Sequence, residues 1–176
     1  MKFGLYLPPQ IRIFGAFFIY SFCMGSLYPR IPAIQQAMGV GEGALGLALI
    51  GAAFGTLISL TFAGPIIERI GYRRTLLTAI PLLSVFYAIS VWAQGPVMFF
   101  LLLVPVGITI GAIEIIINLE ADRVEHAIGR RIMNRPHAFW SFGFFSAGMV
   151  GSFVAQTGLS PQMHLAIMIP VVTLVS

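Results

Sequence analysis

The sequence has very little charge and almost no cysteine for its length. Of its 176 residues only 9% are charged, whereas 58% are hydrophobic, and the mean hydropathy is +0.93. A soluble domain needs more polar surface than this to cover its exterior. The single cysteine, Cys23, excludes an intrachain disulfide. These scarcities indicate an integral membrane protein.

The sequence also lacks the motifs of common catalytic and cofactor sites. It contains no His-Glu-x-x-His helix, no nucleophile elbow and no phosphate-binding loop. We therefore expect no enzyme activity, no catalytic residues, no metal and no cofactor. The basic residues are spread over polar connections instead of forming an aromatic-lined patch, so nucleic acid is not an expected partner.

Long uncharged runs are what the sequence does contain. A helix of about 20 residues crosses ~30 Å of hydrocarbon. We predict two three-helix repeats, residues 1–96 with spans at about 13–32, 44–63 and 75–93, and residues 97–176 with spans at about 97–118, 137–156 and 163–176. The last of these is too short for a full crossing. We expect either a truncated polypeptide or a tilted, partly inserted end.

Small residues recur at every fourth position in two of the predicted spans. The second span has Gly51, Gly55, Ser59 and Ala63, and the fifth has Gly143, Ala147, Gly151 and Ala155. Such stripes let helices approach closely in lipid. Each stripe lies on the middle span of its trio, and the two trios run in opposite directions. We therefore predict an all-α membrane bundle with a 3+3 inverted repeat, as in one half of a transporter.

The placement of charge predicts the orientation of the chain. With the N-terminus in the cytoplasm, every Lys and Arg except Arg30 falls on the cytoplasmic side. Basic residues are retained on that side of a membrane. We expect a multi-pass protein embedded in the lipid bilayer, with the hydrophilic segment 120–135 in the cytoplasm.

The connection from the second to the third span resembles a family signature. The motif Gly-x-x-x-Asp-Arg-x-Gly-Arg-Arg of the major facilitator superfamily is carried here by Gly64, Glu68, Arg69, Gly71, Arg73 and Arg74, with Tyr72 in place of the family's central Arg. Segments 30–35 and 137–141, with Glu114 and Asn118, are similar to a bacterial, fucose-permease-like subgroup. The competing interpretation is that the motif is only a set of cytoplasmic loop charges.

The resemblance implies the N-terminal six-helix half of a twelve-helix transporter in the bacterial inner membrane. Its partner would be a C-terminal half or a second copy of the chain. In the family the acidic residue of the motif faces a helix N-terminus of the other half, where the helix dipole favours it. Glu68 would take that role, Gly64 would allow a close helix contact, and Gly71 would allow a tight turn.

The candidate binding residues lie in the first and fourth spans. Gly107, Gly111, Glu114 and Asn118 share one helical face, and Glu114 is the only acidic residue inside a predicted span. It is either a proton or solute site, or a structural carboxylate paired with Arg or capped by Asn118. Arg30 either binds an anionic solute or reaches the headgroups. Tyr28, with Ser21 and Gly25, is predicted to face a cavity.

The leading hypothesis is a secondary active transporter of a small polar, sugar-like solute, with possible proton coupling. A half-size homodimeric transporter and a non-transporting interaction subunit are the alternatives. Drug efflux is disfavoured, because residues 143–152 depart from the drug-antiporter motif at three of its five positions.

Overall fold

The fold was analysed in a computed structural model that describes residues 8–175. Residues 1–7, which include Lys2, and Ser176 lie outside the described residues. The start of the first predicted repeat and the last residue of the second are therefore not covered. Within the described part the chain is helical throughout, without strands. The helices are α1 (Pro9–Gly25), α2 (Ile31–Met38), α3 (Glu42–Phe62), α4 (Gly64–Ile70), α5 (Tyr72–Ser90), α6 (Pro96–Ile128), α7 (Asn134–Gln156) and α8 (Pro161–Val175), with a 3-10 turn at Tyr28–Arg30.

Proline and glycine set most of these boundaries. Pro9 and Pro96 stand in the first turns of α1 and α6, where the missing N–H is no loss. Gly39 and Gly129 end α2 and α6 with positive φ angles of 65° and 63°. This left-handed conformation is easily adopted only by glycine, so both residues are helix stops.

Four helical stretches of the described chain are long and apolar enough to cross a membrane. They are residues 9–38, α3, α6 and α7, and α8 is a shorter apolar helix. The predicted third span corresponds to α5, which is less apolar because it begins with Arg73 and Arg74. An all-helical membrane fold is confirmed, whereas the count of six spans and the inverted repeat stay predictions.

At three places the helices differ from the limits of the predicted spans and their connections. The helical stretch that begins with α1 continues past Pro32, because a 3-10 turn at Tyr28–Arg30 leads directly into α2. The connection at residues 64–71 is a short helix, α4, and only Gly71 makes a turn. Helix α6, which contains the fourth predicted span, continues ten residues beyond Asn118 to Ile128. The charged segment after the apolar run also favours a helix. Only the apolar part of α6 needs to lie in hydrocarbon.

The two small-residue stripes are the closest helix contacts in the fold. On α3, a Cβ added at Gly51 or Gly55 would overlap the backbone of α6. On α7, a Cβ at Gly143 would overlap the backbone of α1, and one at Gly151 would lie 2.9 Å from Pro29 Cγ. α3 therefore packs along α6, and α7 packs along α1. The two contacts are equivalent under the predicted inverted repeat, which relates spans one and two to spans four and five.

The remaining faces of α3 and α7 are apolar and uncovered. Side chains on these faces that are at least half exposed include Leu47, Phe54, Leu57, Phe142, Phe145 and Phe153. Apolar faces of this extent are unfavourable in water and favourable in lipid or against another protein surface. The interior between the helices is also apolar, with Phe17, Tyr20 and Phe99 fully buried.

The basic residues collect at one end of the bundle. Arg12, Arg73 and Glu120 line the same cavity, which brings together the starts of α1 and α5 and the end of α6. The connection to α7 adds Arg130 and Arg131, and the first turn of α7 adds Arg135. Arg30 follows α1 at its other end, about 27 Å away by helical rise. Basic residues that are far apart in the sequence therefore lie at the same end of the bundle. Which side of the membrane this end faces stays a prediction.

Candidate functional site

The carboxylate of Glu114 is bound by a tyrosine of another helix. Tyr20 Oη donates a hydrogen bond of 2.9 Å to Glu114 Oε1, which links the middle of α1 to α6. Tyr20 is fully buried, whereas Glu114 is partly exposed. A hydroxyl donor stabilises a carboxylate away from bulk water. The bundle therefore holds Glu114 at a fixed point between two helices while part of the residue remains accessible.

Asn118 does not cap the Glu114 carboxylate. Its Nδ2 donates 2.9 Å to the Glu114 backbone carbonyl, one turn earlier on α6. This local bond satisfies the amide inside its own helix. Of the two structural alternatives for Glu114, capping by Asn118 is thus wrong. Within the described residues no Arg pairs with Glu114 either, and the arginine–carboxylate pair seen on α6 is Arg123–Glu120.

Arg30 is buried instead of reaching the membrane surface. Its side chain is 2% exposed, and Nη2 donates to the Leu159 carbonyl in the connection from α7 to α8. The Nε atom is buried without a hydrogen-bond partner. No carboxylate of the described residues lies within 4 Å of Arg30. The expectation that Arg30 reaches the headgroups is therefore wrong for this structure, and the Leu159 carbonyl is an acceptor for its guanidinium.

His164 lies near Arg30 and was missed by the sequence analysis. It is 4% exposed, and its Nδ1 is buried without a partner. A Cβ at Gly151 would lie 3.4 Å from His164 Cε1 and 2.9 Å from Pro29 Cγ, so α7, α8 and the 3-10 turn meet here. Nothing in the local sequence of α8 distinguishes this histidine from an interfacial one. Only the tertiary contacts reveal it.

Of the predicted cavity stripe of Tyr28, Ser21 and Gly25, the last two form a packing surface. Ser21 is fully buried and donates to the Phe18 carbonyl, and its Oγ faces Gly143. A Cβ at Gly25 would lie 2.9 Å from Ala147 Cβ. Ser21 and Gly25 therefore serve the contact between α1 and α7. Tyr28 is 46% exposed and packs edge-on against Phe144, with the ring centroids 5.1 Å apart.

The motif residues lie on α4 and at the start of α5. Gly71 has φ of +92°, so its expected role in the turn is confirmed. A Cβ at Gly64 would meet nothing within 4 Å, so the expected close contact is absent from the described residues. The charged members of the motif, Glu68, Arg69, Arg73 and Arg74, are all exposed and make no ion pair with any described residue.

Tyr72, which replaces the family's central Arg, contacts a cation on α6. The guanidinium carbon of Arg123 lies 4.3 Å from the centre of the Tyr72 ring. Arg123 also pairs with Glu120 at 2.5 Å. An aromatic face attracts a cation at this distance. This contact places the guanidinium of Arg123 beside the start of α5, next to the motif cations Arg73 and Arg74.

The connection from α6 to α7 is held by another carboxylate. Glu125 Oε2 accepts hydrogen bonds from the backbone N–H groups of Ile132 at 2.6 Å and Met133 at 2.8 Å. These two donors keep the pKa of Glu125 below its ordinary value, since they favour the ionised form. Glu125 lies beyond the apolar part of α6 and shapes this connection.

These features define a helical membrane protein with closely packed glycine contacts and an intramembrane carboxylate. The family model of the Major Facilitator Superfamily matches residues 13–176. The chain belongs to the Major Facilitator Superfamily, a family of transporters and not of enzymes.

Two curated relatives are consistent with this assignment. The chain is 29% identical over 173 residues to an uncharacterized MFS-type transporter of Yersinia pestis, covering 96% of this chain and 44% of the relative. It is 27% identical over 156 residues to an uncharacterized transporter of Sinorhizobium fredii, covering 88% of this chain and 41% of the relative. The chain thus spans less than half the length of these relatives. No solved structure matches it.

Proposed function

We propose that this chain forms the N-terminal part of a proton-coupled transporter of a small polar solute in the bacterial inner membrane. Alternating access would move the solute past α1 and α6, with Glu114 as the proton-carrying or solute-binding group. The hydrogen bond from Tyr20 to Glu114 is the observation that carries this proposal. An acidic side chain inside a membrane span is costly, and such residues are characteristic of transport and proton sites.

The accessibility of Glu114 supports a functional role over a structural one. It has no cationic partner among the described residues, and its partner Tyr20 is a neutral donor. A carboxylate bound this way can gain or lose a proton without leaving a buried cation unpaired. Asn118 and Tyr28 are weaker candidates, because the amide of Asn118 bonds its own helix and Tyr28 lies in the 3-10 turn beyond α1.

The exposed charges of the motif support a further part of the protein as partner. Glu68 and Arg69 lie on α4 without an ion pair within the described residues. We propose that they contact a C-terminal half of the same protein, as the length of the relatives suggests. A second copy of this chain is the alternative partner. Cross-linking of cysteines placed at position 68 in differently tagged chains distinguishes the two, since only a homodimer joins the tags.

The test of the proton site is Glu114→Gln in the reconstituted full-length protein. Gln keeps the shape and an acceptor for Tyr20 but cannot titrate. Solute exchange should therefore continue, while accumulation driven by a pH gradient should be lost. Glu42→Gln is the matched control, because Glu42 is exposed at the start of α3. This control should retain both transport modes.

Two outcomes would contradict the proton site. If Glu114→Gln still accumulated solute when driven by a pH gradient, Glu114 would not be the proton-coupling residue. A parallel loss of protein yield, thermal stability and every transport mode would make it structural. Tyr20→Phe, which removes only the donor, should weaken proton-driven accumulation more than exchange if Tyr20 positions Glu114.

A further inference from the structure

An open cavity lies at the basic end of the bundle, away from Glu114. It has a volume of about 770 Å³ and lies between the starts of α1 and α5, the end of α6 and the end of α8. Cavities of this size accommodate a ligand or part of a larger one. The transport proposal does not use this cavity.

The polar groups of the cavity are concentrated at one end. Arg12 on α1 and Arg73 on α5 both line it and are exposed, and Tyr72 lies beside Arg73. Glu120 is the acidic residue of the lining, and its charge is paired with Arg123 at 2.5 Å. The charged residues of the lining are thus two arginines and one glutamate. An anion bound there would meet two guanidinium groups from different helices.

The rest of the cavity is apolar. From Arg12 to Ile19 on α1, and from Arg73 to Ile80 on α5, the lining continues for seven residues, or about 10 Å along each helix. The side chains on this part of the lining include Ala16, Ile19, Leu76, Leu77, Ile80 and Ile116. A polar solute would find no hydrogen-bond partners on these walls. The cavity fits a molecule with one anionic end and a hydrocarbon body.

We propose that this cavity binds an anionic phospholipid from the leaflet that faces the basic end. The phosphate group contacts Arg12 and Arg73, and part of one acyl chain lies along Ile19, Leu76 and Ile80. Basic pockets between membrane helices are suited to anionic headgroups, because charge and hydrocarbon are satisfied together. The bound lipid would join α1 to α5 at the end of the bundle where the motif helix α4 also ends.

Lipid titration of the delipidated full-length protein, followed by native mass spectrometry, tests the proposal. Phosphatidylglycerol should bind at low concentration, and phosphatidylcholine should bind more weakly. Arg73→Gln should weaken phosphatidylglycerol binding about fivefold, the ratio expected for one arginine near an anionic headgroup. Arg74→Gln is the matched control, since Arg74 carries the same charge one residue away but does not line the cavity. This control should change the affinity little.

The apolar part needs a separate test. Leu77→Trp fills the cavity without changing charge and should also weaken phosphatidylglycerol binding. A photo-crosslinking amino acid at position 77 should form a lipid adduct in membranes containing phosphatidylglycerol. Crosslinks to another segment of the protein would overturn the proposal, because the cavity would then be filled by the protein itself. Equal effects of Arg73→Gln and Arg74→Gln, or unchanged binding in Leu77→Trp, would also overturn it.

Discussion

Adding one methyl group at Gly55 should force α3 and α6 apart. A Cβ at Gly55 would overlap the carbonyl oxygen of Val104 and lie 2.9 Å from the backbone nitrogen of Ile108. Both atoms belong to the α6 backbone, so no side chain can rotate away. Ordinary contact distances of about 3.5–4.0 Å then require the two helices to separate by ~1 Å or more. Such a gap forfeits a quarter to a half of the dispersion energy along the contact.

The matched control is Gly46→Ala on the same helix. A Cβ at Gly46 meets nothing within 4 Å, and the residue is exposed. Both substitutions gain the helix propensity of alanine, worth up to ~1 kcal/mol, so this gain cancels in the comparison. Overpacking costs about 1–3 kcal/mol. Gly55→Ala should therefore be less stable than Gly46→Ala by about 1–3 kcal/mol.

The measurement is reversible unfolding of the purified full-length protein in mixed micelles, with added sodium dodecyl sulfate as denaturant. Gly46→Ala should unfold at or above the parental detergent fraction, and Gly55→Ala below it. Gly107→Ala tests the same crossing from α6, where a Cβ would overlap the Ala52 carbonyl. Because separating the helices relieves both overlaps, the double variant should cost less than the sum of the two. Equal stability of Gly55→Ala and Gly46→Ala would refute the close α3–α6 contact.

Two further predictions concern the basic end of the bundle. Because the pKa of Glu125 lies below its ordinary value of 4.5, its hydrogen bonds stabilise the fold fully above that pH, and this contribution disappears as pH falls through the lowered pKa. Glu125→Ala should thus have a lower melting temperature than the parent at neutral pH, and the difference should narrow under acid; a constant difference would contradict this. Impermeant thiol labelling of single cysteines, in a Cys23→Ser background, should place residues 12 and 131 on the cytoplasmic side and residue 42 on the other; labelling of all three from one side would refute the topology.

Much of the fold could be predicted because membrane helices follow from local composition. A run of apolar residues must satisfy its backbone within itself, so hydropathy alone indicates a helix. The close contacts at Gly51, Gly55, Gly143 and Gly151 could also be predicted from the sequence, since close helix contact in lipid requires the absence of side-chain atoms. The ends of the helices were harder to predict. The charged end of α6 stays helical in water, so the end of the apolar run does not mark the end of the helix.

The partners of the polar groups could not be predicted. Tyr20 lies 94 residues from Glu114, within an aromatic-rich segment where no local signal separates it from Phe17 or Phe22. Ser21 and Gly25 were misread for a related reason. Small residues on a helix indicate that something comes close, but only the tertiary structure shows whether this is a solute or another helix.

The intramembrane polar groups differ in how fully the described residues satisfy them, and this difference ranks them as functional candidates. Ser21 is satisfied by its own helix and needs no further partner. Glu114 has one neutral donor and remains partly exposed, so its hydrogen-bonding capacity is only partly used within the described residues. Arg30 is buried with one carbonyl acceptor and an unpartnered Nε. A cation in that position retains a large uncompensated desolvation cost. We therefore keep Glu114 as the residue of the proposed coupling role, whereas Arg30 links the connection between α7 and α8 to the end of α1.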